Sequence, residues 1–393
     1  MSTRASVQSA EVRANAAMLA ACSLVLLAGF GLQVLAYGHG GHSSLSDIPH
    51  LVLSHDLTPG HWPYVDRVLE YPVLAGVLLG AAVNLCTGPF GALSVVALLT
   101  SAVTLAITWM LGRRFGSRAW RWAIGTPLLL YAFQNFDVFA IAGMVVGLLA
   151  FERGRDRSAG VAIGIGTAVK LFPLAVVPPL AAIRWTRGDR QGAYRLVGAS
   201  VLTVAVVNLP FLIAHRSRWW WAYSFQSSRQ ATWGSAWFYV LRIAGLPVHG
   251  TAGAQVANLV SAVAVIGGLA WLVARTTRVH LDAIAAAGAA IAICILADKV
   301  YSPTYDVWLV VFFVMLPLGR RLWVTFCAVD LAVFVVVYGY FDGPLHADVV
   351  RAVLPALVVL RTVVLLTIIM RTTDPQRRAS PDAPALMASR RVG

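Results

Sequence analysis

The sequence predicts an all-α, polytopic membrane protein, and three observations carry that prediction. Of 393 residues, 59% are hydrophobic and only 12% charged. A typical soluble domain carries about 25% charged residues, so this chain has too little polar surface to cover a water-soluble globule, and its mean hydropathy is +0.73. Apolar stretches recur from Ala16 to Met370, each about the 20 residues that cross a bilayer core as a helix. The basic residues gather in clusters between those stretches. A soluble enzyme, a nucleic-acid-binding domain and a disordered protein are thereby disfavoured. The net charge of +14 is spread over short inter-helix segments, where it sets orientation.

The first element is a retained helix. Arg4 and Arg13 precede an apolar run from Asn15 to Tyr37, too long for a signal-peptide core and followed by no small-x-small cleavage site. Further clusters follow: Arg113, Arg114, Arg118 and Arg121; Arg153, Arg155 and Arg157; Arg184, Arg187, Arg190 and Arg195; Arg275 with Arg278; Arg320 with Arg321; and the tail from Arg371 to Arg391. With Arg4 and Arg13 they hold 22 of the 31 basic residues, and the positive-inside rule places them in the cytoplasm. The segments 38–89, 134–136, 171–173, 214–252, 298–302 and 341–348 then face outward.

Twelve crossings result, with both termini inside, over residues 15–37, 90–112, 120–134, 136–151, 158–171, 173–186, 193–213, 254–274, 281–297, 303–318, 322–340 and 349–370. Several are shorter than a lone span requires, and such helices persist only where their ends meet a protein-lined cavity. Residues 72–88 also read as a helix. Counting them as a crossing would move Arg113 to Arg121 outside, so they are expected as a juxtamembrane helix in the first outer loop. The membrane domain covers 1–371, and 372–393, rich in Pro, Arg, Ala and Ser, reads as a disordered cytoplasmic tail.

Against 29 arginines the chain has two lysines, Lys170 and Lys299, both at outward helix ends and both followed closely by proline (Pro173, Pro303). Snorkelling toward headgroups is the plain explanation. The functional one is a pair of ammonium groups at one outer cavity, binding an anionic group such as a phosphate. Asn135 and Asp137 interrupt the apolar pattern at another outward turn, and Asp298 precedes Lys299. The 214–252 loop carries Arg229 in the polar patch Gln226-Ser-Ser-Arg229-Gln230, flanked by Trp219, Trp220, Trp221, Trp233 and Trp237. The tryptophans suit interface anchoring, while the planar fork of Arg229 suits phosphate oxygens.

The first outer loop offers Asp47, Asp56, Asp66 and Glu70. Asp47, next to a short amphipathic turn of Ile48, Leu51 and Val52, is the best placed to take a proton from a sugar hydroxyl. His39, His42, His50, His55 and His61 crowd the same loop; His39 and His42 have loose metal-like spacing, but no helix or second pair supports a site, and no metal or other cofactor is expected. Cys22, Cys86, Cys294 and Cys327 show no CxxC spacing and read as small apolar side chains.

The order of Ser46-Asp47, Pro63-Tyr64, Glu70-Tyr71-Pro72, Asn135-x-Asp137, Lys170-x-x-Pro173, the Arg229 loop and Lys299-Val-x-Ser302-Pro-x-Tyr305 resembles glycosyltransferase family 87 of the GT-C superfamily. That family includes actinobacterial polyprenyl-phosphate-mannose-dependent mannosyltransferases. The likeness runs from about residue 40 to 320. It departs at Val73, where the family often has proline, and at Thr304, where it often has glutamine.

The resemblance implies a GT-C-like bundle and an outward-facing active site in the cell membrane. It implies sugar transfer from a polyprenyl-phosphate donor, mannose or arabinofuranose favoured, to a glycan or glycolipid acceptor. Asp47 becomes the catalytic base, and Lys170, Arg229 and Lys299 the donor-phosphate ligands. Tyr64, Glu70, Tyr71, Asn135, Asp137, Gln226, Ser302 and Tyr305 become substrate-binding residues. The partners are then the lipid-linked donor, the acceptor and the bilayer, with no nucleic acid. Two other classes compete: a transporter or flippase of lipid-linked sugars, and a non-catalytic binder of polyprenyl phosphate. Transporters keep their polar groups near the midplane, whereas here only Asp330, unpaired in the eleventh crossing, lies there. The topology predicts that cysteine introduced at Gly116 is labelled from the inside and at Gly76 from the outside.

Overall fold

The computed structural model describes residues 2–38, 45–341 and 343–374. Among them there is no β-strand, only one bridge between Pro63 and Arg67. The helices are α1 (Ser2–Gly38), α2 (Asp47–Ser54), α3 (Val73–Leu85), α4 (Gly88–Phe115), α5 (Trp120–Ala123), α6 (Thr126–Tyr131), α7 (Asp137–Glu152), α8 (Asp156–Val169) and α9 (Val177–Thr186). Then come α10 (Arg190–Ala214), α11 (Arg216–Ser228), α12 (Ala236–Ile243), α13 (Gly250–Val279), α14 (Ala283–Ala297), α15 (Asp306–Met315), α16 (Arg320–Phe341) and α17 (Ala347–Thr373). Short 3-10 turns cover 116–119, 172–176 and 303–305.

Six stretches are long and apolar enough to cross a membrane alone: the α1 portion Arg13–Gly38, α4 continuing to Ala123, α10, α13, α16 and α17. The protein is a multi-pass membrane protein, and the expectation of twelve crossings also needs the shorter α5–α6, α7, α8, α9, α14 and α15. The division has a physical reason. In the apolar windows of α10 and α13 only 17% and 11% of residues are buried, so these helices stand at the rim with apolar side chains such as Leu202, Leu259 and Ile266 exposed. The short α14 and α15 are buried along almost their whole length, surrounded by protein rather than by lipid.

Small residues permit the close crossings. A Cβ on Gly143 of α7 would lie 2.8 Å from the Cα of Gly166 on α8, and one on Gly164 would lie 2.9 Å from the Ser200 carbonyl oxygen on α10.

One expected crossing is broken. Residues 120–134 form α5 and α6, interrupted where Gly125 is extended and Pro127 opens α6. Proline lacks the amide hydrogen that a continuous helix would donate to the Ala123 carbonyl, so this stretch does not run as one rod. By contrast, the placement of 72–88 agrees with expectation. Helices α1 and α4 run antiparallel: Thr108 bonds the Cys22 sulfur, and the Tyr37 and Phe90 rings lie 5.2 Å apart. The chain between them therefore returns to the level at which it left. Within it α3 has 13 residues, about 20 Å of helix against a hydrocarbon core of about 30 Å.

Loops that the charge pattern groups together also contact one another. Among the arginine-bearing segments, Arg184 pairs with Asp156 at 2.7 Å, Arg371 donates to the Leu318 carbonyl at 2.6 Å and Arg275 to the Thr373 carbonyl at 3.2 Å. At the other end Gln226 donates to the Glu70 carbonyl at 3.2 Å, Arg218 to that of Val65, and the Thr232 amide to the Lys299 carbonyl at 3.0 Å. Helix α17 continues two residues into the expected tail, of which 375–393 lie outside the described residues, as do His39 and His42.

Gly76 packs against the Tyr64 ring so closely that a side chain there would overlap it. Gly76→Ala is expected to cost about 1–3 kcal/mol through overpacking, read as a lowered thermal midpoint in detergent. The native, exposed Cys86 is accordingly the better topology probe than a cysteine at 76.

Candidate active site

Asp47 owes its position to a capped helix start bolted to a distant turn. The Ser46 hydroxyl accepts the Ile48 amide at 3.2 Å, which starts α2, and donates to the Phe133 carbonyl at 3.0 Å. The Asp47 amide donates to the Gln134 carbonyl at 2.8 Å. Ile48, Leu51 and Val52 are buried, as their amphipathic spacing predicts, and they pin the helix from below. The carboxylate sits in the first turn of α2, where the free amides favour negative charge, and its Oδ2 accepts the Tyr71 hydroxyl at 2.6 Å.

A cavity of about 700 Å³ opens beside it, lined by polar Asp47, His50, Gln134, Arg229 and Ser302 and by apolar Trp233, Val337, Phe341 and Leu354 among others. Asp47 is the one acid in that lining. The other acids of the first loop are engaged elsewhere. Asp56 pairs with Arg67 at 2.9 Å, Asp66 accepts the Trp62 amide at 2.8 Å, and Glu70 meets His55 Nε2 at 2.5 Å.

Lys170 ends α8 in extended conformation and forms an ion pair with buried Asp137. Its ammonium lies 5.2, 5.4 and 5.9 Å from the ring centres of Tyr305, Trp308 and Tyr71, a cage of aromatic faces that attracts a cation. The Asn135 side-chain Oδ1 accepts the Asp137 amide at 2.9 Å, a local turn that leads into α7 at Asp137. Lys299 is placed differently. Its ammonium donates to the carbonyls of Gln226 and Arg229 and to Asn258 Oδ1, three acceptors for three hydrogens. It clamps the loop that presents Arg229, while Arg229 itself makes one side-chain bond, to Gln226 Oε1 at 3.3 Å, and lines the cavity.

Tyr64 is fully buried, with φ at +66°. Its hydroxyl donates to the Tyr71 and Pro72 carbonyls at 2.8 and 2.9 Å, so it braces the strand of chain that carries Tyr71 and is closed to substrate. Ser302 shares a hydrogen bond of 3.1 Å with Thr304 and lines the cavity. Asp298 and Tyr305 join the two halves of the site. Asp298 feels the charges of Arg229, Lys299 and Lys170, and Tyr305 those of Asp298, Arg229, Asp137 and Asp47.

Burial raises the Asp47 carboxyl above its ordinary value, while the Tyr71 hydroxyl and Lys170 pull it down. Glu70, despite its burial, is held below the usual range by His55. Two adjacent acids are thus driven apart: Asp47 becomes the stronger base, Glu70 a fixed anion.

Two features escaped the sequence reading. Gln134, Tyr301 and Tyr338 line the cavity, and nothing in their local pattern marks them. Behind them lies a buried polar cluster. Arg361 stands over the Tyr301 ring at 3.3 Å and donates to the Gly234 carbonyl. Tyr301 donates to Asp306 at 2.9 Å. Asp330 is not unpaired as expected, for Thr126 donates to it at 3.2 Å. A lone arginine ten positions from both Arg351 and Arg371 was the available signal, since a charge inside a membrane helix needs a partner. Among the described residues no group of three potential metal ligands occurs.

A family model, glycosyltransferase family 87, matches residues 69–303, more than half of the chain. No curated protein and no solved structure matches it. The matched span holds Tyr71, Asp137, Lys170, Arg229 and Lys299; Asp47 and Tyr64 precede it and Tyr305 follows it. It is narrower than the 40–320 expected, and the case for Asp47 therefore rests on geometry. Infrared difference spectra of wild type against Asp47→Asn are expected to show the Asp47 carboxyl protonating above about pH 3.9, the ordinary aspartate value. Tyr71→Phe, which removes a bond to the ionised form, moves that midpoint higher still.

Proposed function

The chain belongs to glycosyltransferase family 87, and from that premise we propose that this membrane glycosyltransferase uses a polyprenyl-phosphate-linked sugar, mannose or arabinofuranose, as donor. The acceptor is an extracytoplasmic glycan or glycolipid, and the anomeric configuration inverts. The observation that carries this reading is the carboxylate of Asp47 in the wall of a cavity that also presents Arg229, with Lys170 close behind.

In this reaction Asp47 takes the proton of the acceptor hydroxyl as its oxygen bonds to the anomeric carbon. The bond from that carbon to the phosphate oxygen breaks, and the electron pair leaves with polyprenyl phosphate. Attack opposite the leaving group inverts the centre. Arg229 supplies a guanidinium fork to the phosphate, and Lys170 adds positive charge where negative charge develops. Lys299 serves by holding the Arg229 loop. The apolar wall of Val337, Phe341 and Leu354 suits an isoprenoid chain entering from the bilayer. In the cell membrane the Asp47 end faces outward and both termini lie in the cytoplasm, following the arginine distribution.

Asp47→Asn is expected to lower transfer by about 10²–10⁴-fold with an unchanged thermal midpoint, measured with radiolabelled polyprenyl-phosphate mannose or arabinofuranose in membranes. Lys170→Ala is expected to raise the donor KM. Movement of lipid-linked sugar across liposomes without any glycoside formed would instead favour a flippase and overturn the transferase assignment.

A further inference from the structure

Among the described residues, Gln134 alone both lines the cavity and carries a buried side-chain atom without a hydrogen-bond partner. The residue is held at two points. The backbone carbonyl accepts the Asp47 amide at 2.8 Å, so the residue is fixed relative to the base. One end of its carboxamide, Nε2, donates to the Tyr338 hydroxyl on α16, and Tyr338 lines the same cavity. The other end, Oε1, has no hydrogen-bond partner, although the residue is only 6% exposed. Leaving a buried acceptor unsatisfied is costly, and neighbouring polar groups of the wall have found partners: Ser46 with Phe133 and Ser302 with Thr304. A carboxamide oxygen accepts but does not donate, so what it lacks is a hydroxyl or N–H.

We propose that Gln134 is a specificity-determining residue: its Oε1 accepts a hydrogen bond from one hydroxyl of a sugar ring lying against Asp47. The assignment rests on the transferase reading above and deepens it. A site built to hold a hydroxyl discriminates strongly against a ring that lacks it, because the protein's own polar group is then left unpaired. Donor sugar and acceptor sugar share that chemistry, and the experiment separates them.

The full-length protein in nanodiscs is assayed with polyprenyl-phosphate mannose and polyprenyl-phosphate arabinofuranose, methyl glycosides serving as acceptors. Monodeoxy versions of each sugar are then compared in wild type, Gln134→Met and Tyr338→Phe. Binding of the sugar-lipids, and of polyprenyl phosphate alone, is followed by tryptophan fluorescence. In wild type, removal of one particular hydroxyl is expected to lower kcat/KM about 10- to 100-fold. Gln134→Met is expected to lose the same factor with the intact sugar and to show no further loss with that deoxy analogue. Tyr338→Phe falls between.

If the sensitive hydroxyl belongs to the donor, Gln134→Met weakens the sugar-lipid but not bare polyprenyl phosphate. If it belongs to the acceptor, only the acceptor KM moves. Equal loss of Gln134→Met on every analogue, or no loss at all, overturns the assignment and leaves the transferase reading standing. A wild type that neither binds nor transfers either sugar-lipid overturns both.

Discussion

The hydrogen bond from the Asp47 amide to the Gln134 carbonyl is the contact on which the site depends. It joins the first loop after α1 to the break between α6 and α7, two regions 87 positions apart in the chain. The Gln134 carbonyl lies in the interruption at 132–136 and so is not engaged by a helical i+4 amide, which leaves it open to the Asp47 amide. Ser46 strengthens the joint by bonding the same turn. The turn between α6 and α7 is thereby the platform that holds the carboxylate.

The remaining charges are arranged to limit the cost of burying them. Lys170 has Asp137 as its counter-ion and three aromatic rings around it, which offset the cost of its half-buried position. Lys299 is satisfied by three oxygens and has become part of the scaffold. Arg229 is left with most of its guanidinium unclaimed by side chains. The difference among the three cations lies in what each has already bonded, and a cation with spare donors at a cavity wall is the one prepared to meet an anion.

Deeper in the bundle, Arg361, Tyr301, Asp306 and Asp330 tie α15, α16 and α17 to the chain segment around Gly234. The segment is otherwise a loop between α11 and α12, and Gly234 and Tyr301 both belong to the cavity wall. The buried Arg361 guanidinium bonds the Gly234 carbonyl and lies over the Tyr301 ring, whose hydroxyl donates to Asp306; such a buried polar cluster is costly to desolvate and favours one arrangement of the wall.

The helix limits were legible in the sequence because apolar length and arginine clustering answer directly to the bilayer. The expected crossings 15–37, 193–213 and 349–370 fall within helices long and apolar enough to span. The same logic kept 72–88 out of the crossing count, and the match of α1 to α4 agrees. Asp47, Lys170 and Arg229 were visible as charges on one side. What the sequence does not contain is which of several like residues faces the cavity. Lys170 and Lys299 share the same helix-end context, yet one sits among aromatic rings and the other is consumed by backbone carbonyls. Gln134 carries no local pattern that sets it apart from its neighbours, and Arg361 stands out only as a charge in an apolar helix, with nothing in the sequence to name its partners. Membrane insertion is decided by one-dimensional transfer free energies summed along the chain, whereas hydrogen-bond partners are chosen in three dimensions among residues hundreds of positions apart, and only the tertiary structure makes that choice.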